Sequence, residues 1–220
     1  MKLVLASGSQ RRRELLTMCG YDYEIIVSNA DETIDENDPE SFVRALSFRK
    51  AKEVFDRLFA AGRRDFAVIG SDTVVAFQKE GETKPVIIGK PKDAEDAVRI
   101  LSILSGKTHR VFTGVSVIAD IPDENAAAQC SIREKEEIQT ECSITEVTFE
   151  TLSPDEITDY VNSGDPLDKA GSYGIQGPFG MFVREIRGNY FTVIGMPIPV
   201  LYKMLKKIGI LPHGFYERIE

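Results

Sequence analysis

The chain has 220 residues, 42% of them hydrophobic, enough for one ordinary domain or two small lobes around a cleft. Its 27 basic and 35 acidic side chains leave a net charge of −8, which argues against a general nucleic-acid binder, because neutralising phosphates takes basic surface. No apolar stretch approaches the roughly 18 to 20 residues of a membrane span, and the N-terminus lacks a secretion-signal layout. Cys19, Cys130 and Cys142 are too scattered for a zinc site, so a cytoplasmic protein with reduced, packing thiols is expected.

Residues 2–6 are a short apolar run closed by Ser7-Gly8, the pattern of a buried strand feeding a turn. A helix follows: Ser9 can cap it, Leu15, Leu16 and Cys19 mark its inner face, and Gly20 stops it. Its first turn holds Arg11, Arg12 and Arg13. Cations are unfavourable at the positive end of a helix dipole, and a bound phosphate would remove the conflict by accepting from free N–H groups and guanidinium forks. A solvated basic face is the plainer alternative. The turn is not a P-loop, since no Gly-Lys-Ser/Thr follows.

A second helix starts at Asp38-Pro39 and runs to about residue 61, with Phe42, Val43, Leu46, Val54, Phe55 and Leu58 inward. Lys50 falls at the margin of that stripe, so either its stem snorkels outward or its ammonium enters a cavity at the core's edge. Residues 66–70 read as one buried strand and 74–77 as another, with Ser71-Asp72-Thr73 as the break between them. There Asp72 is either a general base or metal ligand, or a turn aspartate bonded to its own backbone. Lys90-Pro91-Lys92 precedes a third helix, capped by Asp93 and ended by Gly106.

Residues 111–118 and 142–151 read as strands that pair antiparallel, giving a mixed sheet. Between them, residues 120–141 carry seven acids against Arg133 and Lys135 and read as an exposed acidic connection that serves solubility. Ser153 to Glu156 is a capping box opening a short helix that ends at Gly164. Residues 164–180 hold five glycines among polar residues, a loop whose backbone can approach a ligand, and a last, structural helix follows Pro199.

With only His109 and His213 present, a histidine-based nucleophile or zinc site is disfavoured. A metal here would be a hard divalent cation, magnesium or manganese, held by Glu32 and Asp72 with phosphate oxygens. Lys90, Asp168 and Lys169 have ordinary readings singly. Together, Arg11, Arg12, Arg13, Lys50, Lys90 and Lys169 fall at element ends or in glycine- and proline-marked turns, where a cleft would be built.

Taken in order, "LASGSQRRRELL", "DE" at Asp31-Glu32, "RALSFRKA", "VIGSDTVV", "IGKPKDAEDA", "LSGKTHRVFTGV", "YVNSGDPLDKAGSYGIQG" and "GNYFTVIGMPI" resemble the Maf family of nucleoside triphosphate pyrophosphatases over almost the whole chain. The resemblance implies one domain, residues 1–220, with an α/β fold of the inosine triphosphate pyrophosphatase type: an elongated mixed sheet, flanking helices and two lobes around a nucleotide cleft. It implies cleavage between the α and β phosphates with a divalent cation, and a homodimer. Asp72 matches the family's proposed proton acceptor. Ser7, Arg12, Glu32, Lys50, Lys90, Asp168 and Lys169 match positions tied to phosphate, metal or catalysis, with Arg13 beside them as a further phosphate candidate.

Arg11, Thr73 and Gln176 stand where branches of the family differ, and resemble the branch acting on dTTP and UTP. The 7-methyl-GTP branch tends to carry tryptophan, glutamine and glutamate there. Gln10 replaces the usual proline, with little loss of function expected. The expected activity is a pyrophosphatase for dTTP, UTP and modified pyrimidine triphosphates. The alternatives are a 7-methyl-GTP pyrophosphatase, or a nucleotide-binding regulator of septum formation without important turnover.

Overall fold

Segments rich in Val, Ile, Phe and Thr form the three longest strands of a computed structural model, which describes residues 1–78, 81–82, 84–121 and 135–213. In chain order the elements are β1 (Lys2–Leu5), α1 (Gln10–Met18), β2 (Glu24–Ile25), α2 (Pro39–Ala60), β3 (Phe66–Phe77), β4 (Val86–Ile88), α3 (Ala94–Leu104) and β5 (Thr108–Ile121). Then come β6 (Lys135–Phe149), α4 (Pro154–Asn162), β7 (Val183–Arg187), α5 (Tyr190–Ile194) and α6 (Ile198–Lys207). The strands make a seven-stranded mixed sheet in the order β2-β1-β3-β5-β6-β7, with β4 also on β3. β1 lies parallel to β2 and β3, and every other pair is antiparallel.

Side chains alternate between the faces of a strand, and the two faces of this sheet carry different partners. One face sets Val4, Val68 and Ile118 against Val54 and Phe55 of α2. The other sets Leu5, Ile69 and Val115 against Leu16 of α1 and Leu201 of α6, and farther along sets Val75 and Val147 against Leu101 of α3 and Ile157 of α4. The backbone of α2 lies directly on Gly70 and Gly114. A Cβ at Gly70 would stand 2.2 Å from the Ser47 carbonyl oxygen, and one at Gly114 2.1 Å from that of Val43. Only residues without a side chain allow that approach.

The helix-start signals act as expected at three places. Asp38 accepts from the Ser41 N–H, Asp93 from that of Asp96, and Ser153 and Glu156 cap reciprocally. Ser9 occupies the N-cap of α1 but makes no side-chain capping bond, and Gln10 bonds Glu14 within the same helix. Among the described residues no helix is long and apolar enough to cross a membrane.

Two expectations are corrected. Ser71-Asp72-Thr73 is no break: β3 runs unbroken through it, because β5 pairs with it from Ala67 to Ala76 and the three polar side chains all find partners. The acidic connection is also shorter than expected, since β5 extends to Ile121 and β6 begins at Lys135. Asp120 is buried and accepts from the Asp65 N–H, while Glu141 and Glu136 lie beside Arg44 and Lys52 of α2. The rest of that segment, residues 122–134, lies outside the described residues, as does Cys130. β2, β4, β7 and α5 were not expected from the sequence.

His109 lies in the core beneath the loop that follows α4. It is 2% exposed, 3.0 Å from the Tyr173 hydroxyl through Nε2, and edge-on to Phe149 at 4.6 Å. Burial pushes its pKa down from 6.5 to about 3. Below pH 6.5 the unfolded chain takes up a proton that the folded protein refuses, so stability falls by about 1.4 kcal/mol per pH unit until the folded value is reached. Between pH 7 and pH 5 the native protein is expected to lose about 2 kcal/mol more than His109→Phe, as read by urea titration. Equal losses in the two proteins would refute this.

Candidate active site

β5 fills one edge of β3, so β1 and β4 share the other. β1 pairs only as far as Leu5 with Ile69, and β4 begins only at Ile88 with Val75. Between Ile69 and Val75 no strand among the described residues covers that edge. Asp72 sits in the middle of this gap, directly opposite Gly114 on β5. The alternation of β3 points Asp72 toward the α2 face and Ser71 and Thr73 toward the other, so functional groups gather on both sides of one sheet edge.

On the α2 face, Lys50 reaches inward: its side chain is 12% exposed and its Nζ lies 2.8 Å from Asp72 Oδ1 and 2.9 Å from Glu32 Oε1. Of the two readings of Lys50, the inward ammonium is therefore the observed one. Glu32 is on the segment before α2, and Arg49 secures it by donating from Nη1 to the carbonyls of Asp31 and Thr33 on either side. The approach of α2 over Gly70 and Gly114 is what brings Lys50 to Asp72.

On the opposite face, Arg12 is held by three acceptors. Its Nε donates to the Gly195 carbonyl (2.8 Å), Nη1 to Ser7 Oγ (3.2 Å) and Nη2 to Thr73 Oγ1 (3.3 Å). Burial lowers its pKa, opposed by the charges of Asp72 and Glu32 and reinforced by that of Arg11. The guanidinium stays charged regardless. Gly195 also accepts from Ser71 Oγ, and Thr73 shares a hydrogen bond with Thr113, which donates to the Thr192 carbonyl. A chain of hydroxyls thus fixes Thr73 and, through it, Arg12.

The glycine-rich segment folds into three short 3₁₀ turns, Asp165–Asp168, Ala170–Ser172 and Pro178–Phe182. Lys169 Nζ lies 2.7 Å from Asp168 Oδ1 and 3.0 Å from Asp165 Oδ1, and Arg11 Nη1 lies 3.9 Å from Asp168 Oδ2. Burial would raise the Asp168 pKa, but the Lys169 hydrogen bond and the charges of Lys169, Arg11 and Lys90 hold it below the usual aspartate value. Asp168 is thus the internal anion of a three-cation group. Lys90 is exposed on the turn after β4, which is tied to this segment by the Gly171 N–H donating to Gly89.

The expected residues therefore form three contact groups: Lys50 with Asp72 and Glu32, Arg11 with Asp168 and Lys169, and Arg12 with Ser7 and Thr73. Lys90 bears on the second through its charge on Asp168. Two stand apart. Arg13 donates to the Gly8 carbonyl and accepts from Tyr23 through its own carbonyl, which joins it to the turn. Gln176 is exposed and, among the described residues, makes no hydrogen bond to Arg11 or Thr73.

Arg49, Thr113, Gly114 and Gly195 lie inside the quoted blocks but were not expected at the site. An isolated glycine inside a strand pattern, as at Gly114, is the one signal that could have found any of them. Among the described residues no group of three His, Cys, Asp or Glu side chains could hold a metal. Glu32 and Asp72 nonetheless present two hard oxygens to one cationic nitrogen, a donor pair that suits magnesium or manganese once phosphate or water supplies the remaining oxygens.

A family model described as Maf-like protein matches residues 2–208. A dTTP/UTP pyrophosphatase of Agathobacter rectalis is 40% identical over 217 residues, covering 95% of this chain and 98% of its own. One of Bacillus thuringiensis is 42% identical over 210 residues, covering 95% and 96%. The solved structure of the Staphylococcus aureus Ham1 protein is 15% identical, with a TM-score of 0.47 over 94% of this chain and 99% of that one. With the family match spanning nearly every described element and relatives aligned almost end to end, this chain belongs to the Maf family.

Proposed function

We propose that this protein hydrolyses nucleoside triphosphates between the α and β phosphates, with dTTP and UTP as preferred substrates, releasing a monophosphate and pyrophosphate. The observation that carries the reading is the Asp72 carboxylate in the gap of β3, with Lys50 on one face of the sheet and Arg12 on the other. The names of the relatives, and Arg11, Thr73 and Gln176 at the positions where the family's branches differ, support the choice of pyrimidine nucleotides.

In this reading Asp72 accepts a proton from the attacking water, and Lys50 holds the carboxylate in place. Arg12, Lys90 and Lys169, with Ser7 and Arg13, receive the phosphates and offset charge on the departing pyrophosphate. Glu32 and Asp72 would hold a magnesium or manganese ion, which when bound neutralises phosphate oxygens and acidifies water. Arg11, Thr73 and Gln176 select the base. The protein acts as a single domain, as a homodimer, in the cytoplasm.

The test is release of pyrophosphate from a panel of triphosphates with magnesium or manganese. Turnover of dTTP and UTP at least about tenfold above that of 7-methyl-GTP and the purine triphosphates is expected, the size of discrimination a few base contacts give. Silence on both with turnover of 7-methyl-GTP would move the protein to the other branch.

A further inference from the structure

Lys169 makes three polar contacts through its ammonium, and the groups that make them differ in how firmly they are held. We propose that Tyr160 and Asp165 are a positioning pair that sets Lys169 for the substrate's phosphates and sets the turn carrying Gln176 for its base. The proposal rests on the pyrophosphatase reading above and adds two residues to it.

Tyr160 lies on α4, 6% exposed, with its ring 4.8 Å from that of Phe179. Its hydroxyl donates to Asp165 Oδ2 at 2.5 Å and accepts from the Gly174 N–H at 3.1 Å. The other Asp165 oxygen, Oδ1, lies 3.0 Å from Lys169 Nζ, and Lys169 also donates to the Asp165 carbonyl. Both carboxylate oxygens of Asp165 are thus engaged, one by a buried phenol and one by the lysine.

An ammonium has three donors. Two go to Asp165, and the third goes to Asp168, whose side chain is 71% exposed against 31% for Asp165. Asp168 is the partner a phosphate oxygen can replace from solvent, and Asp165, anchored by Tyr160, is the one that stays. The same phenol reaches the second element. Gly174, which it bonds, lies so close to Lys169 that a Cβ there would meet Cε at 2.7 Å, and its carbonyl accepts from the Gly177 N–H. Gln176 sits on the turn that this bond closes.

Tyr160→Phe keeps the ring and removes both hydrogen bonds; Asp165→Asn keeps the shape and removes the charge, and serves if the first variant does not fold. Binding of inorganic pyrophosphate by calorimetry is expected to weaken about tenfold in Tyr160→Phe, the loss of one hydrogen bond to a charged group. The Tyr160→Phe/Lys169→Met double variant should bind no more than about twofold more weakly than Lys169→Met alone, because the phenol acts through the lysine. With dTTP, KM should rise about tenfold while kcat stays within about threefold, and the preference for dTTP over dGTP should narrow. Multiplying losses in the double variant, or unchanged pyrophosphate binding and base preference in both single variants, would overturn the positioning pair. If the native protein neither binds pyrophosphate nor hydrolyses dTTP or UTP, the activity assignment falls and the pair with it. If it does both and the coupling is absent, the pair alone falls.

Discussion

Asp72→Asn is expected to lower hydrolysis of dTTP and UTP by about 10³-fold or more, in the range a positioned general base contributes, while leaving the protein folded. The substitution is nearly isosteric, so β3 keeps its pairing with β5, and the amide oxygen can still accept from Lys50 Nζ, now 2.8 Å from Oδ1. Lost are the negative charge and the basic oxygen. Removing one carboxylate also halves the hard-oxygen donor pair with Glu32, so added manganese should not restore the rate. The thermal midpoint should fall by only a few degrees, since Lys50 retains Glu32 at 2.9 Å. Released pyrophosphate and a thermal scan on the same preparation check both halves. A variant that keeps a tenth of the native rate would remove Asp72 from the proton-transfer role.

The misreading of that same residue shows where sequence stops informing. Three polar residues inside an apolar run look like a turn, because a buried polar group needs a partner and none is nearby in the chain. The partners are remote. Ser71 shares its one hydroxyl proton between the carbonyls of Gly114 and Gly195, Thr73 bonds Thr113 and Arg12, and Asp72 takes Lys50 from a helix. Local rules do locate α2 and α4, whose caps are built from residues three apart. They also place the cations at turns and helix starts, but not which carboxylate each one meets. Residues 135–141 misled for a related reason: Glu136 and Glu141 are exposed, as expected, but the segment is strand because β5 pairs with it along its length, a partner remote in the chain. The same two acids lie beside Lys52 and Arg44 of α2.

Gly114→Ala is expected to cost about 3 kcal/mol or more, the upper range for overpacking, because the added methyl meets helix backbone and not a side chain that can turn aside. Its Cβ would stand 2.1 Å from the Val43 carbonyl oxygen and 2.5 Å from the carbonyl carbon, so α2 must lift. For a chain of this size the thermal midpoint should fall by about 6 to 12 °C. The larger effect is on activity. Lys50 and Asp72 meet across the interface that lifts, and a misplacement of about 1 Å can cost 10²-fold in rate. Leu205→Ala, in the core on the other face of the sheet, separates the two consequences. It should lower the midpoint comparably, by the usual 2 to 5 kcal/mol of a buried leucine truncation, and leave kcat within about threefold of native well below that midpoint. Gly114→Ala assayed at the same temperature should have lost most of its activity. Equal residual activity in the two variants would mean that the close approach of α2 serves packing alone, and that Lys50 does not need it to hold Asp72.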